Sequence, residues 1–446
     1  MKKILCGVFF FACAFLALCC RGNEKSPNVL LVSIDTLRAD HLNCYGYTVR
    51  PTSPNIDRLA AEGALFLNAF SHASETRPSM ASILTSKLPV QFSKSLSLQS
   101  VYLYGSYDTL AERLKRNGYY TAAVVTNPWL SQEMGFGRGF DEYKYGFDMT
   151  AAEVRMTAKR LLREVKNRRF FLWLHFMDPH ADYVRHTRYE RYYDPAYDGR
   201  FLNAFSDGDA NRFKDPAEVL SQADLRHIQA LYDGEIFTAD EAVGRLMDTL
   251  SDLGLRKKTI VVLVSDHGEE FKEHGGTGHD HTLFDELLHV PLIVSWPGRI
   301  EPGLRITRTV RCVDIFPTVL KLAGFDPGID LEGDDLFSVQ GEEKERVVMS
   351  YAGFHHIACR SGRYKFIQQL APYRDWDKGF VPFRLYDLKE DPGELKNVYE
   401  SRPEVASRLW SQLGPYRIVG KTVSSLESIR LPSERIEELK SLGYIN

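Results

Sequence analysis

The chain has 446 residues, 44% of them hydrophobic and 26% charged, with a formal net charge of -3. That length buries a large core and suits one large domain with a smaller companion. The composition carries no sign of disorder, of a nucleic-acid footprint or of a polytopic membrane protein.

In chain order, Met1-Lys2-Lys3 is followed by the apolar run ILCGVFFFACAFLALCC and then by polar RGNEKSPN. Residues 1–20 therefore read as an export segment. Leu16-Ala17-Leu18-Cys19, or the adjacent Cys20, resembles a bacterial lipoprotein cleavage site, with Leu18 bulkier than the usual residue before the lipidated cysteine. The alternative is an uncleaved anchor, because the run sits at the lower length limit for crossing a bilayer. Of seven cysteines, only Cys44, Cys312 and Cys359 lie beyond this segment, too scattered for a disulfide framework or a metal-binding spacing.

From residue 27 onward, β-rich apolar runs alternate with amphipathic stretches: NVLLVSID, NIDRLAAEG, ALFLNAF, SMASILTS, LAERLKRNG and YTAAVVTN. Two more buried-strand runs, RFFLWLHF and TIVVLVSD, flank the helical HIQALYDGEIFTADEAVGRLMDTLSDLG. The alternation predicts an α/β domain over residues 27–340, with a large, mostly parallel sheet flanked by helices. After the turn-rich DPGIDLEGDDLFSVQGEEKER, the short runs RVVMSYAG, HIACRSG, YKFIQQL and FRLYDLK predict a small antiparallel sheet, followed by helix in RPEVASRLWSQL. Residues 341–446 are thus expected to form a smaller α+β unit.

Ligands of open α/β sheets bind beyond the carboxyl ends of the strands. Three strand ends finish in polar chemistry: Asp35, the pair Asp266-His267, and Asp178 with His180. Carboxylates and an imidazole gathered there suit a divalent metal. Pro78 favours a first helical turn, which places the Thr76 hydroxyl at a helix start, where unpaired N–H groups attract anions. A cation touching that hydroxyl would lower its pKa; a plain helix cap is the other reading of Thr76.

The motifs PNVLLVSIDTLRADHLNCYGY, TSPNIDRLAAEGALFLNAFS, TRPSMASILTS, GFGRGFDEY, FFLWLHFMDPHADY, LYDGEIFTADEAVGRL, VSDHGEEFKEHGGTGHDHTLFDELLHVPLIV, VDIFPTVLKLAG and RLYDLKEDPGEL occur in this order. Together they resemble the sulfatase family of the alkaline-phosphatase superfamily, from about residue 27 to the end. The resemblance implies an alkaline-phosphatase-like fold and a metal-dependent hydrolase of sulfate or phosphate esters. It also implies a metal held by Asp35, Asp266 and His267, with Thr76 as the metal-bound nucleophile. His180 and His279 would contact the substrate's anionic group or protonate the leaving oxygen, while His175, His274 and His281 carry a weaker claim.

Three positions depart from the family pattern. Sulfatases typically have C-x-P-S-R at the nucleophile turn, whose cysteine or serine becomes formylglycine; here the turn reads Thr76-Arg77-Pro78-Ser79-Met80. A threonine cannot form that aldehyde. SKLPVQFSKSLS lacks the H-G that usually follows, and Asp182 replaces a proline. Other members of the superfamily use threonine as a metal-bound nucleophile, so a phosphothreonine route, which needs no aldehyde, remains open.

One divalent ion is expected: zinc or manganese on account of the imidazole ligand, or calcium as in typical sulfatases. The expected partner is a small-molecule or glycan sulfate or phosphate ester, with no nucleic acid, and with a membrane met only through the N-terminal lipid or anchor. The competing readings are a catalytically inactive protein binding an anionic glycan or lipid, and a phosphoryl-group transferase of the cell envelope. GFGRG lacks the strand–helix setting of a dinucleotide loop, the Arg/Tyr-rich YVRHTRYERYYDPAYDGRF reads as a substrate-facing loop, and no G-x-S-x-G elbow is present.

Overall fold

The computed structural model describes residues 26–92, 103, 107–147, 149–338, 346–353, 355–370, 381–414 and 432–441. Residues 1–25, which include the expected export segment and its cysteines, lie outside the described residues, as do residues 93–102.

Eight strands form the main sheet: β1 (Asn28–Ile34), β2 (Ala64–Phe70), β3 (Tyr120–Val125), β4 (Glu142–Tyr145), β5 (Phe170–Phe176), β6 (Thr259–Ser265), β7 (His289–Ser295) and β8 (Leu304–Arg311). Their order is β8-β2-β7-β6-β1-β5-β3-β4. β7 runs against both of its neighbours and every other pairing is parallel. This is the mostly parallel α/β sheet expected from the alternation of runs.

The helices used below are α1 (Pro54–Ala61), α2 (Thr76–Thr85), α3 (Leu110–Arg116), α4 (Ala151–Val165), α5 (Asp207–Phe213), α6 (Gln222–Asp252), α7 (Ile315–Leu322) and α8 (Pro403–Leu413). Both faces of the sheet are covered, which is why the run at residues 29–32 within NVLLVSI is apolar without interruption. Leu30, Val32 and Ile34 pack with α4 and α6 on one face, while Val29 and Leu31 pack with α2, α3 and α7 on the other. Among the described residues no helix is long and apolar enough to cross a membrane.

The four short C-terminal runs form β9 (Val347–Ala352), β10 (His356–Ser361), β11 (Tyr364–Gln369) and β12 (Phe383–Asp387), an antiparallel meander with α8 on one face. This sheet is stitched to the loop that leads into α2. Ser350 Oγ donates to Ser71 O at 2.7 Å, Tyr351 N to His72 O at 3.0 Å, and Gly353 N to Glu75 Oε1 at 2.8 Å.

Candidate functional site

The carboxyl ends of β1, β2, β5 and β6 meet around one fully buried cluster. Asp35 follows β1, and Asp266 and His267 follow the adjacent β6. One ligand atom from each of the three lies within 4.8 Å of the others, and all three are completely buried. The loop after Asp35 is held open by Thr36 at φ 54°, whose N–H donates to Asp266 Oδ1 at 3.2 Å. Tyr232 of α6 braces this turn by donating to Thr36 O at 2.7 Å.

Thr76 is the first residue of α2, and the preceding Glu75 is the N-cap. The Glu75 side chain makes no capping bond, and the threonine hydroxyl lies 3.4 Å from both Asp35 carboxylate oxygens and 3.3 Å from His267 Nε2. The simple-cap reading therefore fails. Pro78 needs no N–H partner in the first turn. Ser79 donates to Asp266 O at 2.6 Å, which ties the helix start to the β6 loop. Met80, where the family pattern carries arginine, packs in the core instead.

The donor set fits a divalent cation. His267 Nδ1 lies 2.9 Å from the Gly268 carbonyl, which only accepts, so Nδ1 donates there and Nε2 is the ring nitrogen that faces the carboxylates. Asp266 Oδ2 is buried without a hydrogen-bond partner and stands 3.6 Å from that nitrogen. Burial and the neighbouring Asp35 charge both raise the Asp266 carboxyl above its ordinary value. For Asp35, burial acts upward, but the His175 hydrogen bond and the charges of His180, His175 and His267 outweigh it and leave a carboxylate. Two carboxylates facing each other in a dry pocket call for a positive charge between them.

Two further residues lie beside Asp35: Asn127, which the sequence did not single out, and His175, to which it gave a weaker claim. Asn127, just past β3 and wholly buried, donates from Nδ2 to Asp35 Oδ2 at 2.7 Å and reaches within 3.5 Å of Thr76 Oγ1. Its carbonyl accepts from Trp129 N at 2.9 Å, which fixes the amide's orientation. His175 of β5 heads the other line. Trp173 Nε1 donates to Ser33 Oγ at 2.9 Å, Ser33 lies 2.8 Å from His175 Nδ1, and His175 Nε2 meets Asp35 Oδ2 at 3.1 Å. Ser33 Oγ thus links the indole to His175 Nδ1, and the ring turns Nε2 toward Asp35. Asn127 ends a strand in YTAAVVTN, so the strand-end rule would have found it.

His180 and His279 both join the cluster. The His279 ring lies 4.6 Å from that of His267 and 5.1 Å from that of His180, centroid to centroid. Burial disfavours a charge on His180, but Asp35, Asp207 and Glu269 outweigh it and raise its pKa. Burial lowers that of His279. Asp178 does other work: its Oδ2 accepts from Ala151 N at 3.0 Å, at the start of α4. His274 and His281 pair with Glu286 and Glu270 rather than with the cluster.

A model of the sulfatase family matches residues 27–325, and one for the C-terminal region of N-sulphoglucosamine sulphohydrolase matches residues 273–417. The chain is 28% identical over 440 residues to arylsulfatase A of Bos taurus, covering 85% of each. It is 23% identical over 480 residues to an N-acetylglucosamine-6-O-sulfatase of Bacteroides thetaiotaomicron, covering 85% of this chain and 84% of the other. The solved phosphonate monoester hydrolase of Agrobacterium radiobacter shares the fold, with a TM-score of 0.71 at 22% identity over 88% of this chain and 95% of that one.

Proposed function

The chain belongs to the sulfatase family of sulfuric or phosphoric ester hydrolases, and on that footing we propose an exported, metal-dependent hydrolase that cleaves a sulfate or phosphate ester with Thr76 as nucleophile. The observation that carries this reading is the Thr76 hydroxyl at a helix start, 3.3 to 3.4 Å from Asp35 and His267. Asp35, Asp266 and His267 would hold the ion, and the imidazole favours zinc or manganese over calcium. Bound there, a divalent cation supplies charge that eases ionisation of the hydroxyl and offsets the charge of the ester oxygens.

The chain's own groups then divide the work. Thr76 Oγ, ionised with its proton passed to solvent, forms a bond to sulfur or phosphorus in line with the ester oxygen, which departs with the electron pair of the broken bond. His279 or His180 gives that oxygen a proton. The N–H groups at the start of α2 and the Asn127 amide receive the non-bridging oxygens as charge builds. Water then attacks the same sulfur or phosphorus, gives its proton to the histidine, and releases Thr76. Because threonine has no aldehyde form, this displacement suits phosphate and phosphonate esters at least as well as sulfates.

The test is a parallel assay of aryl sulfate, phosphate monoester, phosphate diester and phosphonate monoester, with metal analysis of the purified protein. Turnover of at least one class that depends on a bound divalent ion is expected. No turnover of any of them with calcium, zinc, manganese or magnesium would sink the proposal.

A further inference from the structure

Glu269 lies two residues beyond His267 and is only 1% exposed. Its two oxygens have separate partners. Oε2 accepts from the Tyr183 hydroxyl at 2.7 Å, and Oε1 lies 3.0 Å from His279 Nδ1. Tyr183 is itself 1% exposed, and burial together with the Glu269 charge holds its phenol far above the ordinary value, so it stays a donor. The backbone of Glu269 is fixed as well, since Arg38 Nη1 donates to its carbonyl at 2.9 Å.

We propose that Glu269 is the positioning residue of the leaving-group acid: held by Tyr183, it fixes the proton of His279 on Nδ1 and turns Nε2 toward the substrate. The proposal rests on His279 being that acid.

Three features of the geometry support it. A carboxylate accepts and does not donate, so the ring nitrogen facing it carries hydrogen in both states of the imidazole. The other nitrogen is then the one that changes protonation, and the ring bearing it stands between His267 and His180. The Tyr183 bond occupies the second carboxylate oxygen, which stops the carboxylate from rotating away. As the ester S–O or P–O bond breaks, its electron pair goes to the leaving oxygen and the Nε2 proton follows it. The ring is left neutral, with Nδ1–H still on Glu269. A buried carboxylate that accepts from one nitrogen of an imidazole in this way fixes the direction of the other.

The test uses metal-loaded full-length protein and a series of substituted phenyl sulfates and phenyl phosphates whose phenols differ widely in acidity. Glu269→Gln, which keeps the shape and removes the charge, should lose about tenfold to a hundredfold in kcat/KM on the least acidic phenols. On nitrophenyl esters it should lose less than about threefold, with bound metal unchanged. Combined with His279→Ala, it should add nothing to the loss caused by His279→Ala alone, because it acts through that ring. A uniform loss across the series, or losses that multiply in the double variant, would overturn the proposal. If Glu269→Gln does not fold, Tyr183→Phe, which frees Oε2, is judged by the same two criteria. A His279→Ala variant with equal losses on every ester would overturn the acid role of His279 itself, a failure distinct from that of Glu269.

Discussion

Thr76→Ala removes the hydroxyl beside His267 and leaves the turn held by Ser79 and the α2 backbone. Turnover is expected to fall by at least about 10³-fold, as for loss of other nucleophiles, with little change in the thermal midpoint. Thr76→Ser should keep part of the activity, and quenched parent enzyme should carry the sulfuryl or phosphoryl mass on Thr76. Thr76→Ala as active as the parent would refute the assignment. Asp266 separates function from stability. Its carboxylate faces Asp35 without a partner for Oδ2, so in metal-free protein its charge is a cost. Asp266→Asn should therefore raise the melting temperature of the chelated protein while lowering the metal retained by the purified one. Calorimetry and elemental analysis check the two halves.

At the scale of elements, the site depends on helices that hold one another's ends. Asp240, wholly buried on α6, accepts from Asn55 N at 2.9 Å, Ile56 N at 2.7 Å and Asn55 Nδ2 at 2.7 Å, at the start of α1. α1 begins with Pro54 and an N-cap Ser53 that makes no side-chain capping bond, so Asp240 serves its free N–H groups from another helix. Asp240→Ala should cost about 3 kcal/mol, because it strands buried donors that bonded a carboxylate. Activity per folded molecule should be unchanged, since α1 lies away from Thr76 in the chain and contributes none of the site's side chains. Denaturant unfolding beside a specific-activity assay tests both. Three strands of the main sheet were not among the expected runs: β7, HVPLIVS, whose apolar run is interrupted by Pro291, and the polar or short β8 and β4. β8, LRITRTVR, is an edge strand that needs few apolar residues, and β4, EYKY, pairs on one side only.

Across the whole molecule, the seam between the two sheets carries a pH dependence. His72, which precedes α2, lies with Nδ1 2.6 Å from the Met349 carbonyl of β9, while its buried Nε2 has no partner. Burial, with Arg311 nearby, lowers its pKa from 6.5 to about 3. His356 of β10 is likewise lowered to about 3 by burial and by the charges of Arg384, His355 and His281. Unfolded, both take up a proton near the ordinary value, and folded they resist it until about 3. Below 6.5 the unfolded chain therefore binds more protons and stability falls with pH. At about 1.4 kcal/mol per pH unit for each group, the two cost about 4 kcal/mol by pH 5. Melting temperatures of the parent should drop between pH 6.5 and 5, and the His72→Gln/His356→Gln double variant should show a flatter profile. Equal slopes would refute the linkage.

The sequence by itself determined the alternation of strand and helix, because the period of apolar residues reports which faces are covered. It also placed Asp35, Asp266, His267 and Thr76 at strand ends or a helix start, positions that a parallel sheet brings to one edge. The substitution of Thr76 at the nucleophile turn was equally plain, since it is a matter of residue identity. Tertiary structure alone decided which of several strand-end groups meet. Asp178 follows β5 as Asp35 follows β1, yet it serves the start of α4. His175, an alternating residue within an apolar strand, points to Asp35 through the line from Trp173 and Ser33. Asn127 and Glu269 lie 92 and 10 residues from the partners they hold, Asp35 and His279. Hydrogen bonds between side chains depend on rotamer and distance across the fold, and neither leaves a periodic trace in the order of residues.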